Sequence, residues 1–107
     1  MGIENIANRV RTLVQQDDSF TYPNDCRNSV VKLRTSLEEQ FPKANINFLV
    51  YPEAKEGDGV HYALSASIDD GELLINLVPA PGFPEFIGDR EKATPTFSSF
   101  VVTPNVI

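Results

Sequence analysis

Apolar positions along the first third of the chain recur at helical spacing. Ile3, Ile6, Ala7, Val10, Leu13 and Val14 form one stripe over residues 3–17, with Glu4, Asn5, Asn8, Arg9 and Arg11 largely off it. Asp17, Asp18 and Ser19 break the stripe. Phe20 to Pro23 then read as extended, because a residue before proline is pushed out of helical space. Asn24 or Asp25 is a natural N-cap for a second helix over 25–41, whose buried stripe is Val30, Leu33, Leu37 and Phe41. Cys26 lies one turn before Val30 on the same face, and Pro42 ends the helix. Ile46 to Tyr51 predicts a short apolar strand, and 52–59 a polar loop.

Period-two alternation takes over in residues 59–78, GVHYALSASIDDGELLINLV. It puts Val60, Tyr62, Leu64, Ala66 and Ile68 on one face of a strand and His61, Ala63, Ser65 and Ser67 on the other. Asp69, Asp70 and Gly71 predict a turn. In the return strand Leu73, Ile75 and Leu77 face one way, and Leu74, Asn76 and Val78 the other. The register stays open. A two-residue turn at Asp70 and Gly71 would pair Asn76 with Ser65, leaving His61 four residues away, too far at ~3.4 Å per residue. A wider loop, 68–71, would set Asn76 opposite Ala63 and diagonal to His61, within side-chain reach. Beyond the hairpin, PAPGFPEFIGD predicts a loop with Phe83 and Phe86 turned to the core, and residues 96–103 a last strand.

The order helix, helix, strand, hairpin, strand points to an α+β fold, an antiparallel sheet covered by N-terminal helices. At 107 residues the chain is expected to be a single domain, 1–107. A formal charge of −6 argues against a nucleic-acid or anionic-membrane binder, each of which needs a basic face. No run reaches the ~20 apolar residues of a membrane span, and the polar start MGIENIANRV lacks the apolar core of a secretory signal. The expectation is a cytoplasmic protein, or one exported by a route that needs no signal peptide.

The candidate chemistry rests on three residues. The chain has one cysteine, Cys26, in the first turn of a helix, where unpaired N–H groups and the helix dipole favour a thiolate. It has one histidine, His61, at a strand start, and Asn76 lies inside an aliphatic strand. Together they are the parts of a cysteine-nucleophile site. Each also has a plainer reading: a small core hydrophobe for Cys26, a rim residue for His61, a ladder irregularity for Asn76. Asp69 and Asp70 belong to a turn for backbone reasons. One His and one Cys are too few for a zinc site, which wants about four ligands, and no metal or cofactor is expected.

A cysteine opening a helix, a histidine starting one strand and an Asn ending the next resemble the papain-like cysteine peptidase superfamily. The similarity is strongest at HYALSASIDDGELLIN, and in size and layout the chain looks like small bacterial papain-fold toxin domains of the deamidase or peptidase type. Asn24-Asp25-Cys26 also resembles the Asp-Cys pair of bacterial cell-wall endopeptidases, and transglutaminase-like domains share the order Cys, His, Asp. The resemblance implies Cys26 as nucleophile, His61 as base and Asn76 as the residue that orients the imidazole. It also implies an oxyanion donor at the Cys26 N–H. Where papain has a glutamine before the cysteine this chain has none, and Tyr22 or Asn24 would be the second donor. Arg27 replaces the usual small residue after the cysteine.

The expected function is therefore hydrolysis of an amide in a protein or peptide, by a peptidase, amidase or glutamine deamidase. The alternative is a non-catalytic module of similar shape that binds a protein, of immunity or adaptor type.

Overall fold

The computed structural model describes residues 2–16, 26–50, 61–68, 71–77, 84–93 and 100–103, with the backbone alone at 26 and 27. These residues form a compact α+β domain with two helices and a five-stranded antiparallel sheet. Helix α1 spans Ile3–Gln15 and α2 Cys26–Gln40. The strands are β1 (Asn45–Val50), β2 (Tyr62–Ile68), β3 (Gly71–Asn76), β4 (Phe86–Asp89) and β5 (Val101–Thr103), in the sheet order β4-β3-β2-β1-β5.

Both helices form where the apolar stripes predict them. Ile6, Ala7, Val10 and Val14 of α1 and Val30, Leu33 and Leu37 of α2 are buried. They pack on one face of the sheet against Ile46, Phe48, Tyr62, Leu64, Ala66, Leu73, Ile75 and Leu77. After α2 the Phe41 N–H still reaches the Leu37 carbonyl (2.7 Å). Pro42 cannot continue the ladder, and a short turn leads into β1. A connection this short favours α2 running antiparallel to β1, which is itself antiparallel to β2.

Alternation along the strands builds a second, smaller cluster on the opposite face: Leu49, Ala63, Leu74 and Phe100, with Phe86 and Ala93 against it. The faces of β2 and β3 are those the alternation predicts. The expected loop after the hairpin needs correction: Phe86–Asp89 is a strand, β4, paired antiparallel with β3 through Asn76 opposite Phe86 and Leu73 opposite Asp89. Four residues are too short for alternation to announce a strand, and here the neighbouring β3 edge supplies the order. Arg11, off the buried stripe of α1, also ties β4 down by donating to the Ile87 carbonyl. A 3₁₀ turn at Arg90–Lys92 follows, and the Arg90 guanidinium pairs with Glu72 of β3 (2.6 Å). Of the last strand expected over 96–103, residues 101–103 form β5 and 96–99 lie outside the described residues. No helix among the described residues is long and apolar enough to cross a membrane.

Candidate functional site

Register settles first which side chains can meet. Ile68 stands opposite Gly71 and Leu64 opposite Ile75, so one further step sets Asn76 across from Ala63. This is the register that brings Asn76 near His61, but the loop expected over 68–71 is corrected: Ile68 and Gly71 are themselves paired as the ends of β2 and β3, leaving only residues 69 and 70 between the strands. His61, two positions before Ala63 and just outside β2, becomes the diagonal neighbour of Asn76.

The two side chains are hydrogen-bonded, His61 Nε2 to Asn76 Oδ1, at 2.8 Å. The second contact of Asn76 fixes the chemistry of the first. Its Nδ2 donates to the Pro84 carbonyl (2.8 Å), an oxygen that can only accept. The amide nitrogen must therefore face Pro84 and the amide oxygen must face the ring. An oxygen acceptor requires a hydrogen on Nε2. In the neutral ring the lone pair then belongs to Nδ1, the nitrogen through which His61 can take up a proton.

Burial holds this arrangement in place. Asn76 is 0% exposed, on the sheet face that carries Leu74, and His61 is half-buried. The Phe100 ring lies against the imidazole, centroids 5.7 Å apart with planes tilted by 46°. Burial pushes the His61 pKa below its ordinary 6.5, and the Asn76 hydrogen bond opposes that shift only in part. The ring is therefore neutral at neutral pH, the state a general base needs.

Cys26 is the first residue of α2. Its side chain lies outside the described residues, as do Tyr22 and Asn24. The geometry thus brings together His61 and Asn76 of the expected site residues, and adds two groups that sequence reasoning missed. Pro84 contributes only a backbone carbonyl, which no side-chain pattern signals. Phe100 reads in sequence as one more apolar residue of a terminal strand.

Another polar group stands out on α2. Ser29 is 1% exposed, beside Val30, and its hydroxyl has no hydrogen-bond partner among the described residues. An unmatched buried hydroxyl costs about 1–3 kcal/mol. Among the described residues no three His, Cys, Asp or Glu side chains are grouped so as to hold a metal ion.

Comparison with known proteins finds no matching family model, curated protein or solved structure.

Proposed function

We propose that this chain is a cysteine hydrolase acting on an amide bond of a protein or peptide, with Cys26 as nucleophile, His61 as base and Asn76 as the residue that orients the ring. The observation that carries the reading is the imidazole held by Asn76, whose own amide is locked by Pro84. A buried asparagine spent on fixing one histidine tautomer suits a proton-transfer role.

In this reading Nδ1 takes the Cys26 proton and the thiolate attacks the amide carbon. The C–N bond breaks, the imidazolium proton goes to the leaving nitrogen, and water then hydrolyses the thioester. Asn76 Oδ1 stabilises the imidazolium while it carries the proton.

The layout of α2 supports the pairing. Leu37 and Ala66 line the same part of the core. From Leu37 back to Cys26 the helix covers ~16 Å at ~1.5 Å per residue. From Ala66 back to His61 the strand covers ~17 Å at ~3.4 Å per residue. With α2 and β2 running in the same direction, these lengths favour a helix head level with the histidine.

One observation favours the second reading, a non-catalytic binding module. His61 and Asn76 sit with Phe100 and Leu74 on the sheet face opposite the helices, so the thiol would have to meet the ring around the end of β2.

Alkylation separates the two readings. The hydrolase reading expects the single cysteine to react with iodoacetamide at neutral pH at least tenfold faster than free cysteine. It also expects His61→Ala to abolish most of that excess. A slow thiol that ignores His61→Ala in a folded protein rejects the hydrolase.

A further inference from the structure

We propose that the groove between α1 and β4 binds a small zwitterion with an apolar body, the class to which free aliphatic amino acids belong. Arg11 takes the carboxylate, Glu85 the ammonium group, and the apolar walls the side chain. The site uses none of the residues of the hydrolase reading.

The groove has a volume of about 340 Å³, near the lower end of the range for small-molecule sites. Among the described residues Val14, Phe86 and Ile87 give it apolar walls, and Arg11, Gln15 and Glu85 its polar groups. A mostly apolar cavity with a few fixed polar groups selects a ligand by where its charges lie.

Arg11 brings a positive charge without a counter-ion. Its guanidinium is half-buried and donates to two neutral acceptors, Asn8 Oδ1 (2.6 Å) and the Ile87 carbonyl. The chain has fifteen Asp and Glu against nine Lys and Arg, yet among the described residues no carboxylate pairs with Arg11. Arg34 and Arg90, by contrast, hold Glu38 and Glu72. A guanidinium has about five N–H donors, so those left over can grip both oxygens of a carboxylate. The two neutral bonds fix the fork before a ligand arrives, which lowers the cost of binding.

Glu85 is the second unpaired charge of the same groove. It is exposed and pairs neither with Arg11 nor with any other described side chain. Its backbone is held on both sides: the Pro84 carbonyl accepts from Asn76 Nδ2, and Phe86 stands opposite Asn76 in the ladder of β3 and β4. Two opposite charges that share a cavity without meeting match a ligand that carries both. A plain anion such as phosphate is repelled by Glu85, and a plain cation by Arg11.

The test is an NMR titration of the isotope-labelled full chain with four probes. These are leucine, isocaproate (which lacks the ammonium group), leucinamide (which lacks the carboxylate) and inorganic phosphate. Leucine is expected to shift the amide signals of residues 11–15 and 85–87 saturably at millimolar concentration, and to bind more tightly than the other three. Glu85→Gln is expected to weaken leucine about three- to fivefold while isocaproate binds as before or better. Arg11→Met is expected to weaken both more than about tenfold. Absence of a saturable shift with leucine overturns the proposal. So does isocaproate or phosphate binding as tightly as leucine, or a Glu85→Gln protein with unchanged preference, since each means a site for plain anions. Glu85 is exposed, so Glu85→Gln is expected to keep the fold and decides the matter even where Arg11→Met loosens β4.

Discussion

Replacing Asn76 is the most informative perturbation of this fold. Its side chain is fully buried and makes two bonds of 2.8 Å, one to the His61 ring and one to the Pro84 carbonyl. Asn76→Ala removes both and leaves a ring N–H and a carbonyl to find other partners. Each orphaned group costs about 1–3 kcal/mol when water is excluded. Pro84 is exposed and His61 half-buried, so water recovers part of that loss. The expected destabilisation is about 2–3 kcal/mol, a fall of about 1–2 M in the urea midpoint at ordinary slopes.

Asn76→Asp separates the two bonds. It keeps an oxygen acceptor for Nε2 but turns a second oxygen toward the Pro84 carbonyl, where two acceptors repel. It also sets a carboxylate beside the imidazole, which is expected to raise the His61 pKa by about 1–3 units. His61 is the only histidine, so one set of imidazole NMR signals reports both pKa and tautomer. The wild type is expected to show the Nε2–H tautomer and a pKa below 6.5. An Nδ1–H tautomer, a His61 pKa unmoved in Asn76→Asp, or a loss under ~0.5 kcal/mol in Asn76→Ala would refute the reasoning.

Other perturbations have equally definite outcomes. Because the folded His61 pKa lies below the unfolded 6.5, the folded state binds fewer protons in that window. Stability is then full above pH 6.5 and declines as pH falls toward the folded pKa, and His61→Gln is expected to flatten this part of a urea-midpoint profile. Phe100→Ala uncovers the ring and is expected to return the His61 pKa toward 6.5, read from the same NMR signals. Leu33→Ala deletes a fully buried side chain at the helix–sheet interface and is expected to cost about 2–5 kcal/mol in urea unfolding. Arg11→Met keeps the stem but removes the donor to Ile87, and is expected to raise amide hydrogen exchange in β4 more than in β2.

Much of this architecture is legible in the sequence because single periodicities fix it. The stripes of α1 and α2 and the two faces of β2 and β3 follow from spacings of 3.6 and 2. The register does not, since both hairpin alignments put His61 and Asn76 on one face and pairing alone chooses between them. Strand β4 escapes because its four residues follow a stretch rich in proline and glycine and gain order from β3. The His61–Asn76 pair is anticipated by residue type and order. Its Pro84 anchor is not, because a backbone carbonyl has no signature in side-chain pattern.

The grip of Asn76 on both His61 and Pro84 joins three stretches of chain that come together only once β2, β3 and β4 are aligned. The ionisation of one imidazole thereby becomes a gauge of whether the whole meander has closed. A chain released with that corner still unformed is expected to carry a histidine whose pKa returns toward 6.5, since the burial that lowers it has not formed.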